Sequence, residues 1–180
     1  MTLPLAASGC DGRRMIIREV EERDAEEIAA IYAHHVINGT ASFDYEPPPA
    51  DFHLARIRRV ATAGWPFLVA EEDGQLLGYA YLTQFRDREG YRFTAEDSIY
   101  VRADAMGRGV GTALLEALLL RGARNGFRTV IAVVGGGEPG SVALHAKFGF
   151  REVGRLRAVG FKFDRWLDSV YMQAELTGIS

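Results

Sequence analysis

The chain has 180 residues, 48% apolar and 25% charged, with a formal net charge of -3 and a pI near 5.8. That size suits one domain with a single core, and the charge excludes a broad basic footprint for nucleic acid, while no apolar run is long enough for a membrane span. Cys10 is the only cysteine, which rules out an intrachain disulfide or a cysteine metal cage and fits a reducing, cytoplasmic setting.

Residues 1–14 contain a short apolar run, Leu3 to Ala7, with no positive charge before it, and read as a disordered leader. The folded domain is expected over 15–176, with 177–180 as a tail. "MIIREV" is a strand pattern. Asp24 with Glu27 three residues on forms a capping-box-like start for a helix through "AEEIAAIYAHHVI", ended by Asn38-Gly39. Ile28, Ile31, Tyr32 and Val36 share one face of it at the 3.6-residue period, so it should lie on a sheet.

The prolines of "FDYEPPP" cannot continue that helix and hold an extended connector that presents Phe43 and Tyr45. A second helix is expected from Ala50 to Thr62. "PFLVAEEDGQLLGYAYLTQF" reads as two strands turning at Asp73-Gly74, and "RFTAEDSIYV" as a third that completes an antiparallel meander. A helix to about Arg124 follows the glycine stretch "GRGVG" and closes at Asn125-Gly126. "TVIAVV" reads as a strand buried on both faces. A short helix near Ser141 and strands over about 151–163 and 165–175 finish the chain. The sum is a single-domain α/β fold with a mixed, mostly antiparallel twisted sheet of about seven strands flanked by about four helices.

The stretch from Gly107 to Gly111 places three glycines where a helix must begin. A first helical turn leaves N–H groups without partners and carries a partial positive charge, and glycine removes the β-carbons that keep an anion away. A tight helix start packed on a strand would explain the glycines equally well. The spacing fits neither a dinucleotide fingerprint, since Thr112 stands where a third glycine is needed, nor a P-loop, since no Gly-Lys-Ser/Thr follows. His34, His35 and His53 show no ligand spacing, and no metal site is expected.

Met106-Gly107-Arg108-Gly109-Val110-Gly111 resembles the acetyl-CoA loop of the GNAT superfamily of N-acetyltransferases, Gln/Arg-x-x-Gly-x-Gly/Ala, with Met106 in place of the polar first residue. "FTAEDSIYV", "GFRTVIAVVG", "SVALHAKFGF" and "GRLRAVGFKFDRWLDSVYMQ" are similar to its phosphinothricin and methionine sulfoximine acetyltransferase branch. The resemblance implies acetyl-CoA as cosubstrate, direct transfer to the α-amine of a small zwitterionic acceptor, and a homodimer with the acceptor pocket near the interface.

Residue by residue, the resemblance makes Glu96 the general base, with Asp97 on the opposite strand face as second choice. His145 either protonates the leaving thiolate or orients substrate. The backbone of Ile99, Tyr100 and Val101 would hold the pantetheine arm. Gly107, Gly109, Val110, Gly111 and Thr112 would cradle the pyrophosphate, with Arg108 and Lys147 as phosphate partners. Glu138 replaces an asparagine that touches the coenzyme in the family and is expected to point outward, while Ser141 should cap the last helix and reach the coenzyme. Phe43, Arg86, Arg88, Tyr91, Lys162 and Trp166 would bind the acceptor, the arginines through its acidic end. The same machinery could serve a polyamine, an aminoglycoside or a protein N-terminus, or the chain could be a catalytically idle acetyl-CoA sensor.

Overall fold

The computed structural model describes residues 14–176, so the expected leader, apart from Arg14, and the tail 177–180 lie outside the described residues. Strand β1 (Ile16–Glu19) leads into helices α1 (Ala25–Asn38) and α2 (Ala50–Thr62). The meander follows as β2 (Phe67–Glu72), β3 (Gln75–Gln84) and β4 (Thr94–Val101). Helix α3 (Val110–Arg124), β5 (Thr129–Gly135), α4 (Pro139–Lys147), β6 (Arg151–Lys162) and β7 (Arg165–Glu175) complete the order. Asp73 and Gly74 both take positive φ, 51° and 78°, the turn geometry that matches strand twist in a two-residue hairpin.

The seven strands form one sheet in the order β1-β2-β3-β4-β5-β7-β6. Every neighbouring pair is antiparallel except β4 with β5, which is parallel. Helices cover both faces. On one, Ile28 and Ile31 of α1 and Ile57 and Val60 of α2 bury Phe67, Val69, Tyr79 and Tyr81. On the other, Leu114, Leu115 and Leu118 of α3 bury Leu68, Ala70, Ala80 and Leu82, with Val142 and Leu144 of α4 against the same cluster. Alternate residues of β2 and β3 therefore both find apolar cover, which is why these strands read as continuous apolar runs.

The start of α1 departs from the expected capping box. A 3-10 turn, Glu22–Asp24, precedes the helix, and the Asp24 side chain does not cap it. Its carboxylate is buried and clamped by the Arg18 guanidinium at 2.8 and 2.9 Å, while accepting the Glu21 N–H at 2.7 Å. A buried carboxylate is costly without a neutralising partner, so the ion pair with Arg18 on β1 displaces the local cap. Glu27 meanwhile accepts the Leu76 N–H at 2.9 Å and ties α1 to β3.

Candidate active site

The parallel pairing of β4 with β5 stops at Asp97 and Ala132, while β4 stays paired to β3 up to Val101 and β5 to β7 up to Gly135. The sheet therefore splits between β4 and β5 beyond this rung. Arg102 N–H donates to Leu77 O and Phe85 N–H to Thr94 O, so even-numbered positions of β4 turn their backbone toward β3. Odd positions face the gap. The backbone groups of Ile99 and Val101 look into the split, whereas those of Tyr100 are spent on β3, which corrects the expectation for Tyr100. The Val101 carbonyl accepts the His35 Nε2–H at 2.8 Å, leaving its N–H on the open side.

Below the split, Gly109 is the N-cap of α3 with φ 83°, a left-handed conformation that glycine adopts without strain. The first bond of the helix runs from Ala113 N to Gly109 O at 3.0 Å, so the N–H groups of Val110, Gly111 and Thr112 have no partner within it. Gly107 also has positive φ, but Gly111 does not. A β-carbon at 111 would press on Leu144 at 3.2 Å, so that glycine serves the α3–α4 contact. A cavity of about 610 Å³ opens over this turn, lined among others by His34, His35, Met106, Gly107, Gly109 and Lys147. Arg108 is not in the lining, because it pairs with Glu72 at 2.6 Å.

A second cavity, about 290 Å³, lies at the split itself between Phe43, Ser98, Val133 and Ser169, with Glu96, Asp97, Glu138 and His145 in its wall. Ala41, Ile99, Tyr100, Glu138 and Ser141 line both cavities, so the two meet at a neck. Glu96 is half-buried, and burial pushes its carboxyl above the usual glutamate range, opposed by Arg86 at 3.7 Å and reinforced by Asp97. A carboxylate so shifted is a better base for an ammonium than an exposed one.

His145 is buried with both ring nitrogens engaged: Nδ1–H donates to Ser141 O at 2.7 Å, and Nε2 meets Asp97 Oδ2 at 2.9 Å. Burial alone would lower its pKa, but the Asp97 hydrogen bond and charge with the Ser141 carbonyl outweigh that, and the net shift is upward. Glu138, not Ser141, caps α4, accepting the Gly140 N–H at 3.1 Å and the Ser141 N–H at 2.7 Å. Its carboxylate is thus drawn to the helix N-terminus at the neck instead of pointing outward. Ser141 remains in the lining of both cavities.

The expected acceptor residues separate. Phe43 stands in the cavity wall, its ring filling the space a side chain at Gly160 would need. Lys162 is buried and its ammonium donates to Val36 O, Gly39 O and Ser42 O at 2.7, 3.0 and 2.8 Å, which uses all three hydrogens. It braces the cavity wall and has none left for a substrate, and burial lowers its pKa. Trp166 is 66% exposed against Phe161 on the β6–β7 hairpin, outside both cavities. Arg86 reaches Glu96, whereas Arg88 and Tyr91 lie on the loop before β4, with Tyr91 edge-on to Phe85, outside both linings.

The contact of His35 with the Val101 carbonyl and the hydroxyls of Ser42, Ser98 and Ser169 went unread in the sequence. Ser98 had a signal, since it lies two residues beyond Glu96 on the same strand face. Ser42 and Ser169 had none, because they come from an irregular connector and a distant strand.

The sequence pattern of the family described as "Acetyltransferase (GNAT) domain" matches residues 17–171. A phosphinothricin N-acetyltransferase of Alcaligenes faecalis is 52% identical over 161 residues, 89% of this chain and 82% of that protein. An L-methionine sulfoximine/L-methionine sulfone acetyltransferase of Pseudomonas aeruginosa is 39% identical over 89% of this chain and 94% of its own length. Among solved structures, a GNAT superfamily phosphinothricin acetyltransferase from Sinorhizobium meliloti in complex with AcCoA superposes with a TM-score of 0.87 at 41% identity, covering 89% of this chain and 88% of that one. With a split sheet, a glycine turn at the mouth of α3 and this extent of similarity, the chain belongs to the GNAT N-acetyltransferase family.

Proposed function

We propose that this enzyme transfers the acetyl group of acetyl-CoA to the α-amine of a small amino-acid-like acceptor such as phosphinothricin or methionine sulfoximine. The observation that carries this reading is the half-buried Glu96 carboxylate in the wall of the smaller cavity, which meets the larger one at a neck. The larger cavity receives the coenzyme: its diphosphate meets the free N–H groups of Val110, Gly111 and Thr112 at the positive end of α3. Lys147 adds charge, and the pantetheine arm lies along Ile99 and the Val101 N–H. Glu96 takes the proton of the acceptor ammonium, the amine attacks the thioester carbon, and the sulfur leaves.

The test mixes the pure protein with acetyl-CoA and a panel holding phosphinothricin, methionine sulfoximine, ordinary amino acids, a polyamine and an aminoglycoside, and follows free thiol. Release with the amino-acid-like members is expected, and none above background with any of them overturns the reading. A cationic acceptor is a second reading, favoured by the cavity wall: Glu96, Asp97 and Glu138 line it and, among the described residues, no lysine or arginine does. Release with the polyamine alone would shift the assignment there.

Replacing Gly109 by valine forces a β-branched residue into positive φ and puts a side chain in the space left for the anion. Calorimetry is expected to show acetyl-CoA affinity falling by more than about tenfold. We also infer an acetyltransferase unit over 15–176 in a reducing cytoplasm, supported by the family match and the single cysteine. A homodimer is supported by the outer strand β6, which leaves Val153, Leu156, Val159 and Phe161 exposed near Trp166. Light scattering should give twice the 19.9 kDa chain mass.

A further inference from the structure

We propose that Asp97 is a positioning residue of the acetyl transfer, holding His145 as a fixed imidazolium beside the neck where the thioester sulfur departs. The inference rests on the reading above. Asp97 sits on the last rung that β4 shares with β5, the point where the sheet opens. His145 comes from α4, 48 residues away in sequence, and the two side chains are 1% and 3% exposed.

The protonation follows from the partners. A carbonyl can only accept, so the 2.7 Å contact to Ser141 O puts a proton on Nδ1. At 2.9 Å the Nε2 of a neutral ring in that tautomer would turn its lone pair on a carboxylate, so a proton lies between the two, and the imidazole, the stronger base of the pair, holds it. Asp97 Oδ1 has no donor among the described residues, so His145 is the group that compensates this buried charge.

The surroundings leave no substitute. Glu96 on the next position of β4 and Glu138 at the cap of α4 are the other charged groups in the cavity wall, and both are acidic. β5 and β7 contribute only Ala132, Val133, Val134, Gly135 and Ser169 to that wall. On α4 itself, Lys147 lines only the coenzyme cavity. Arg86 approaches Glu96 at 3.7 Å from the loop before β4 but does not line the cavity, so among the described residues the imidazolium is the one cation in its wall. As the amine nitrogen bonds to the thioester carbon, the C–S bond breaks and its electron pair leaves on sulfur. Glu96, having already passed the ammonium proton on to solvent, takes the second nitrogen proton as the amide forms, and the imidazolium keeps both of its own, stabilising the thiolate by charge from its buried position.

The test has two arms. Nitrogen-resolved NMR of histidine-labelled wild-type protein, recorded without substrate, is expected to show both His145 nitrogens protonated at about pH 7.5, where a free imidazole is mostly neutral. In Asp97→Asn the ring keeps its shape complement but loses its counter-charge. Its kcat should fall at least about tenfold at that pH with KM for acetyl-CoA little changed, and the ratio of mutant to wild-type kcat should rise as pH drops toward about 6, where the ring recharges. A pair that only staples α4 to β4 would give a ratio independent of pH. A neutral wild-type ring or a flat ratio overturns the proposal, and if Asp97→Asn does not fold, the wild-type spectrum decides. The spectrum reads the pair whether or not any acceptor turns over, so failure of the proposed activity is distinguishable from failure of this inference.

Discussion

Glu96→Gln is expected to lower kcat by about 100-fold or more while leaving acetyl-CoA binding within about twofold. The amide matches the carboxylate in shape but cannot accept the ammonium proton. Coenzyme affinity should survive, because the proposed coenzyme cavity over the α3 turn does not include this side chain in its lining. An idle coenzyme sensor would keep its behaviour on this substitution, so turnover and calorimetry together separate the two. Activity in the wild type should rise with pH through a value above the ordinary glutamate range, because burial raises this carboxyl. A limb at the position of an exposed carboxylate would remove Glu96 as the base.

The same shift fixes the effect on stability. A carboxyl whose folded-state pKa lies above its unfolded value contributes stability that is full below the unfolded value, about 4.3, and lost as pH rises through the folded one. At neutral pH the ionised, half-buried Glu96 is therefore a cost. Its pair with Arg86 is open to solvent and contributes little. Glu96→Gln should leave the melting temperature at about pH 7 unchanged or slightly higher, so its loss of activity cannot be mistaken for unfolding.

Lys162→Met should do the reverse, damaging the fold first and the chemistry through it. Methionine fills the space but removes the donor that gathers the carbonyls of Val36, Gly39 and Ser42. Each buried carbonyl left bare costs about 1–3 kcal/mol, offset in part because an ammonium no longer has to be buried. A net loss of about 3 kcal/mol lowers the melting temperature of a chain this long by roughly 6–12 °C. The freed segment carries Ser42 and Phe43 in the acceptor cavity wall, so the KM for the acceptor should rise several-fold in protein that remains folded. A direct substrate cation would behave differently: its loss would raise that KM with the melting temperature intact.

These residues mark where reading the chain stops. The Asp73-Gly74 turn, the buried face of α1 and the glycine mouth of α3 were legible because each depends on neighbours a few residues apart: turn φ angles, a 3.6-residue apolar period, an unsatisfied first helical turn. Glu96 was legible through its family block and the alternation of β4. The start of α1 and the cap of α4 were not, although both carry local signals. At α1 the Asp24 carboxylate found a half-buried guanidinium on β1, and at α4 the longer carboxylate of Glu138 reached two N–H groups before Ser141 could.

The sequence by itself determined the order of strands and helices, the glycine turn at the mouth of α3, the strand that carries the proposed base and the family. Tertiary structure alone decided how the charges were distributed: Lys162 on carbonyls 120 to 126 residues away, Arg108 on Glu72, Asp97 on His145, and Trp166 outside the cavities. Backbone preference acts over one turn or one hairpin, so a linear pattern records it. The partner of a long charged side chain depends on which faces meet after packing, and burial then makes that partner obligatory.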